Sequence, residues 1–333
     1  MPGAPRLVFC QKETTVNTAT LDYAVEIVAP DISDHKASNS GVDYIWTFES
    51  GKPGPHVMVS AVVHGNELCG AVVVDGLLRE KVRPLRGKLS LGFMNVAAFL
   101  SFDPSKPFDS RFVDEDFNRL WTAEVLDGGR QSVELTRARQ VRGLIDSVDY
   151  LLDIHSMSHK VPPLMMAGPL AKGRALAQGV GVPEIVVTDQ GHAAGKRLRD
   201  YADFADPASA RNALLVECGQ HWEAGAVPLA RQATLRFLQH LEMLDPAFLA
   251  RHLRAGAPPA QRCVEVSEVV TIRSEDFAFA APFVGGEVIE KAGTVLAHDG
   301  AETIVTPYDD CMLIMPTPRP KVGQTAVRLG RFV

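Results

Sequence analysis

Three stretches carry side chains whose types and spacing could do chemistry. In Val57-Met58-Val59-Ser60-Ala61-Val62-Val63-His64-Gly65-Asn66-Glu67, a β-branched-rich apolar run stops on an imidazole, and a carboxylate follows three residues later. Such a run reads as a strand buried on both faces, with Gly65 permitting a sharp turn. Glu67 opens a helical stretch, where a carboxylate suits the positive end of the helix dipole. His64 and Glu67 can therefore converge on one point, which is half of a zinc site. Tyr150-Leu151-Leu152-Asp153-Ile154-His155 is a second buried strand ending on an imidazole, and Ala213-Leu214-Leu215-Val216-Glu217 is a third ending on a carboxylate.

In open α/β sheets, ligands bind at the carboxyl ends of strands. His64, Glu67 and His155 would then form the two-histidine, one-glutamate set of catalytic zinc, with a position left open for water. Zinc lowers the pKa of such a water to about 7 and polarises a carbonyl oxygen. Glu217 is the candidate general base. Asp153 lies two residues before His155, on the same face of its strand, and could orient the imidazole from behind. Each has a plainer reading. A lone histidine at a strand end is usually a satisfied core or surface residue. Glu217 could bond a backbone amide, and Asp153 could accept in a turn. His56, His159, His192 and His221 read as bystanders, with His192 and His221 nearest the expected site. Met165-Met166 reads as core.

Arg111 and Asn118-Arg119 are a different signal. Guanidinium forks match carboxylates bidentately, so two arginines in a loop near a metal point to an anionic substrate. Equally, Arg111 and Arg119 could do no more than pair with Asp114, Glu115 and Asp116.

Positioning these groups requires a sheet. Residues 57–63, a helical pattern over 68–80 and a strand over 88–94 make a βαβ unit, which favours parallel strands covered by helices. Strand-like pieces at 23–28 and 43–48 precede it. A loop over 99–121, a helix over 130–147, further alternation to 188, a loop over 189–211 and a helix over 227–244 follow. Residues 254–260 read as a linker, and short strands punctuated by Gly and Pro come after it. The expectation is an α/β fold: a mixed, largely parallel sheet flanked by helices over residues 1–253, then a small all-β, barrel-like module over 254–333.

The 333 residues are 46% hydrophobic and carry a net charge of −6, so there is no basic footprint for nucleic acid. Cys10, Cys69, Cys218, Cys263 and Cys311 are scattered and odd in number, as core thiols are. Residues 1–15 lack a signal-peptide apolar region, and no apolar run reaches about 18 residues. A soluble cytoplasmic protein with no membrane partner is expected, with a homo-oligomer left open.

Taken in order, these motifs resemble the succinylglutamate desuccinylase/aspartoacylase family, a branch of the zinc carboxypeptidase-like hydrolases. His64-Gly65-Asn66-Glu67 matches the family's His-Gly-Asn-Glu ligand motif, and His155 in Asp153-Ile154-His155 matches its third zinc ligand. Glu217 in Val216-Glu217-Cys218-Gly219 matches its catalytic glutamate. Asp116-Phe117-Asn118-Arg119 is similar to the Asp-Leu-Asn-Arg segment that holds the substrate carboxylate. Arg111 stands where the family's carbonyl-polarising arginine falls. The resemblance covers residues 55–225. It implies a zinc carboxypeptidase-like fold, one zinc ion per chain and hydrolysis of the amide of a small anionic N-acyl amino acid.

Pro207 stands where aspartoacylase has a further substrate-binding arginine. Arg199 and Arg211 are the candidates to replace it, and Tyr308 the candidate for that enzyme's C-terminal tyrosine. Rival readings are a metallocarboxypeptidase acting on short peptides, a deacetylase of an N-acetyl diamino acid, and a non-catalytic binding protein on the same fold. The β module could also bind a partner.

Overall fold

The computed structural model describes residues 23–192 and 194–333. The expectation that residues 1–15 lack a signal-peptide apolar region, and Cys10, fall outside the described residues. The chain starts its sheet at β1 (Ile45–Glu49) and continues through β2 (His56–Ala61), α1 (Leu68–Arg79) and β3 (Lys88–Phe93). β2 and β3 run parallel, as the βαβ pattern predicts, and β1 lies antiparallel outside β3. Along β2, Val57, Val59 and Ala61 enter one core and Met58 the other. That two-residue alternation is why a strand between two helix layers is apolar throughout.

Short helices α2 (Val96–Leu100) and α3 (Ala123–Leu126) flank the long loop, and α4 (Val133–Ile145) follows it. The Ser132 side chain caps α4 by accepting from Leu135 N. Then come β4 (Tyr150–Met157), β5 (Leu164–Met166), α5 (Ala171–Val180), β6 (Ile185–Thr188), β7 (Asn212–Gln220), α6 (Ala226–His240) and α7 (Pro246–His252). Leu77 of α1, Leu176 of α5 and Phe237 of α6 share one core; Leu126 of α3 and Leu135, Val141 and Ile145 of α4 belong to the other. The sheet is therefore covered by helices on both faces.

The C-terminal strands are β8 (Arg262–Thr271), β9 (Ala278–Phe279), β10 (Val288–Ile289), β11 (Val295–Asp299), β12 (Glu302–Val305), β13 (Cys311–Ile314) and β14 (Thr325–Phe332). β8 pairs parallel with β6, so one eleven-stranded sheet runs β1-β3-β2-β4-β7-β5-β6-β8-β14-β13-β10. β12, β11 and β9 form a separate three-stranded sheet. Leu164, Val187 and Leu215 pack with Val264, Met312 and Ile314, so the β module shares a core with the helix-covered part.

Three elements differ from the expectation. Residues 23–28 form no strand; Glu26 N instead bonds Trp222 O at 3.0 Å, and its carboxylate accepts from Ala224 N at 2.8 Å. α7 was not foreseen, although Asp245 before Pro246 is a helix-start pair whose carboxylate accepts from Ala247 N and Phe248 N. β11 is a short strand without strict alternation, and only its pairing with β9 and β12 defines it.

Candidate metal centre and active site

β2, β4 and β7 lie side by side in parallel and deliver their carboxyl ends to one place. At the end of β2, Val62 adopts a left-handed φ of 54°, an outlier for a β-branched residue. Asn95 N bonds Val62 O at 2.9 Å and holds the bend. The bend turns Val63 to Glu67 out of the sheet. Gly65 matters for a different reason than the turn expected of it. Its φ is not in the left-handed region; a Cβ there would lie 2.3 Å from the Ala98 carbonyl carbon and 2.4 Å from Ser110 O. Only glycine allows the two loops to approach so closely.

The expected ligand set converges. His64, Glu67 and His155 are buried, and each offers a ligand atom within 4.8 Å of the other two. Glu67 Oε1 is 2.7 Å from His64 Nδ1, and Glu67 Oε2 is 2.8 Å from His155 Nδ1. The outer nitrogens are also held. His155 Nε2 lies 2.8 Å from Asp153 Oδ2, and Asp153 Oδ1 accepts from Ser60 Oγ at 2.6 Å. His64 Nε2 lies 2.9 Å from Asp116 Oδ1. His64 Nε2 also lies 3.0 Å from Arg111 Nη2, so it sits between a carboxylate and a guanidinium, whereas His155 Nε2 has Asp153 beside it, and in both rings Nδ1 faces Glu67.

Burial opposes a charge on His155, yet Asp153 and Glu67 outweigh it and hold the imidazole well above its ordinary pKa. Burial likewise opposes ionisation of Glu67, and the two imidazoles hold its carboxyl well below the usual range. A positive charge is thus favoured between Nδ1 and the Glu67 carboxylate. This is a donor set and a charge balance that a divalent cation fits, and it is buried enough to select against loose hydration.

Glu217 stands directly beside His155 in the β4–β7 register, just before a β-bulge that separates His155 from Met157. It is 6% exposed, and its Oε2 is enclosed with no hydrogen-bond partner among the described residues. Burial pushes its carboxyl up to about 8, with Glu67 adding to the shift and His155 and Arg111 opposing it. Such a group exchanges a proton near neutral pH.

The loop arginines only partly follow the plain ion-pair reading. Asp114 instead accepts from Val133 N, and Glu115 pairs with Arg130 and Ser132. Asp116 alone faces both: Arg111 Nη2 is 3.3 Å and Arg119 Nη2 3.8 Å from its Oδ2. Arg111 Nη1 also lies 3.7 Å from Glu67 Oε1, at the edge of the ligand set. Burial pulls Arg119 down to about 10, with Arg111, Arg197 and Arg328 adding to it against Asp116. Asn118 is buried, and its Oδ1 accepts from Leu198 N at 2.7 Å, tying this segment to the 189–200 loop.

Two contacts important to this geometry were not read from sequence, where Asp116 stood only as an arginine partner and a motif residue and Glu134 was not singled out. Asp116 holds the far side of His64. Glu134, fully buried on α4, accepts from Val113 N at 2.7 Å, Asp114 N at 3.0 Å and Glu115 N at 3.2 Å, and so shapes the loop between Arg111 and Asp116. In sequence it reads only as an acid in the first turn of a helix, where the dipole favours one, so only tertiary structure separates the two roles.

The further candidates lie elsewhere or are occupied. Arg199 donates to Asp200, Ala167 O and Ala213 O. Arg211 donates to Val148 O and Ile145 O just before β7, at the opposite end of that strand from Glu217. The Tyr308 hydroxyl bonds Ser267 Oγ at 2.6 Å in the β module. His221 is buried against Ser156 Oγ at 2.8 Å, and burial pushes it down to about 3.

With this geometry in view, residues 53–241 match the succinylglutamate desuccinylase/aspartoacylase catalytic domain. The chain belongs to the succinylglutamate desuccinylase/aspartoacylase family. The matched segment contains His64, Glu67, Arg111, Asn118, Arg119, Asp153, His155 and Glu217. A probable aspartoacylase of Parasynechococcus marenigrum is 35% identical over 85 residues, which is 26% of this chain and 26% of that protein. Succinylglutamate desuccinylase from Vibrio parahaemolyticus has the same fold, with a TM-score of 0.65 at 16% identity over 87% of this chain and 86% of that one. The ectoine utilization protein of Ruegeria pomeroyi, solved with product bound, gives a TM-score of 0.58 at 16% identity, covering 89% of this chain and 92% of that one. The family is one of hydrolases acting on N-acyl amino acids. The helix-flanked mixed sheet is thus the desuccinylase/aspartoacylase fold, and the C-terminal antiparallel strands are consistent with a small β module. No helix of the described residues is long and apolar enough to cross a membrane.

Proposed function

We propose that this chain is a zinc-dependent amidohydrolase that cleaves the amide bond of a small anionic N-acyl amino acid. The observation that carries the reading is the convergence of His64, Glu67 and His155 beside Glu217, a buried carboxylate with an unpartnered oxygen. His64 Nδ1, a Glu67 oxygen and His155 Nδ1 would hold one zinc ion. When bound, zinc would polarise the scissile carbonyl and make an attacking water more acidic.

The remaining steps belong to the side chains. Arg111 donates to the carbonyl oxygen as negative charge develops there. Glu217 takes a proton from the attacking water and passes it to the leaving nitrogen, so that an amide and water become a carboxylate and an amine. Asn118 and Arg119 hold a substrate carboxylate. Asp153 positions His155. Residues 1–253 supply all of these groups, and we take residues 254–333 as the accompanying β module.

Replacing Glu217 with Gln should lower kcat by about 10²–10⁴-fold while metal content stays at the wild-type level. Unchanged turnover would remove Glu217 from the mechanism. A panel of N-acyl amino acids and short peptides separates this reading from a carboxypeptidase: cleavage of peptides alone would overturn it.

A further inference from the structure

Arg328 is a buried arginine whose contacts in the fold do not account for it. It lies on β14, between Ile314 of β13 and Val269 of β8, and is 6% exposed. Its Nε is enclosed with no hydrogen-bond acceptor among the described residues. Its ionic neighbour is Asp189 Oδ2, at 3.8 Å, too far for a hydrogen bond. Both Asp189 oxygens are already taken by Arg197, at 3.0 Å from Nη1 and 2.7 Å from Nη2. Asp200 is equally committed, to Arg197 Nε at 2.5 Å and Arg199 Nη1 at 2.6 Å.

Three guanidinium groups thus share two carboxylates, and the one left without a hydrogen-bonded partner among the described residues is Arg328. Buried charges are normally paired, so a surplus cation in a closed place points to an anion that comes and goes. The cluster adjoins the proposed active site. Loop 189–200, which carries Arg197, is stitched to the Arg119 segment: Leu198 N bonds Asn118 Oδ1 at 2.7 Å, and Trp121 N bonds Lys196 O at 3.3 Å. A Cβ on Gly195 would lie 2.3 Å from Arg119 O, so the two backbones touch. Charge is shared as well. Burial pushes Arg328 below its ordinary pKa, with Asp189, Glu217 and Asp200 opposing that shift. Burial takes His192 down to about 3, with Arg119, Arg328 and Arg197 adding to it.

We infer that Arg328 is a specificity-determining residue, through which the C-terminal β module offers free donors to a carboxylate of the substrate next to Arg119 and Glu217. The assignment of that carboxylate to the substrate rests on the amidohydrolase reading; the anion site itself does not. It also means that the catalytic part alone carries an incomplete site.

Succinate and its neutral diamide, succinamide, are suitable probes for the full chain, read by thermal shift and calorimetry. Succinate should raise the Tm of the wild type and succinamide should not. Arg328→Met should weaken succinate binding by about tenfold or more, the scale of one charge-assisted contact. Its Tm without succinate should equal or exceed the wild-type value, because an unpaired buried charge has been removed. Arg328→Gln provides a second variant with the same expected loss. The inference is overturned if succinate does not stabilise the wild type. It is also overturned if both variants keep wild-type succinate binding, or if both lose stability while binding is intact, as a structural arginine would behave. Loss of succinate binding in Arg119→Met but not in the Arg328 variants sinks the role of Arg328 and leaves the amidohydrolase reading standing. Arg328-dependent binding in a protein that hydrolyses none of the N-acyl panel does the reverse.

Discussion

Each imidazole of the candidate metal centre is held at both nitrogens, and the outer partners are carboxylates. Asp153 fixes His155 and is itself fixed by Ser60, while Asp116 fixes His64. Such partners set ring orientation and ligand basicity, and losing one typically costs about 10–100-fold in metal affinity. Asp153→Asn should fall in that range in a chelator-competition titration, with the fold intact; wild-type affinity in the variant would show that His155 does not depend on it. The two carboxylates differed in legibility. Asp153 could be read from sequence because the two-residue period of a strand puts it on the face of His155. Asp116 could not, because its contact with His64 spans a loop whose path no local pattern encodes. It read as one of three acids competing for two arginines, and the structure assigns the other two to Val133, Arg130 and Ser132.

At the level of elements, the strand ends do the positioning and the loops supply the rest. β2, β4 and β7 were legible because apolar runs that stop on a polar residue mark both the strand and the place where it delivers a side chain. The loop from Arg111 to Arg119 was legible only as a group of forks and acids. Its conformation depends on Glu134, which takes three successive backbone N–H groups from the middle of it. Glu134→Ala would remove the acceptor of all three donors, on a loop where Val113 and Asp114 are exposed and water can replace part of the loss. Hydrogen bonds to a charged group contribute about 1.5–3 kcal/mol each, so with that replacement a loss of about 3 kcal/mol is expected in denaturant unfolding. Activity should fall further than stability alone explains, because Arg111 and Asp116 lose their placement. A variant with wild-type stability and activity would show that the loop holds its shape without α4.

For the whole molecule, the sequence suggested two parts and the backbone joins them. The linker composition at 254–260 is a true local signal, but the parallel pairing of β6 with β8 leaves none, since a strand edge carries no mark of which partner it will take. β8 covers the β6 edge, and Val264, Met312 and Ile314 complete a core with Leu164, Val187 and Leu215. Ending the chain at residue 253 would bare that edge and that apolar surface, which is a template for aggregation. A 1–253 fragment is therefore expected to be insoluble or to unfold well below the full chain. A soluble fragment with an unchanged Tm would mean that the β module is an independent appendage.

The proposed chemistry needs a single divalent ion held jointly by residues from two strand ends. The direct measurement is a calorimetric zinc titration of chelator-stripped protein, run on the wild type and on His64→Ala and His155→Ala. One ion should bind per wild-type chain, with tight binding lost in each variant. Absence of binding in the wild type, or equal affinity in all three proteins, would contradict it.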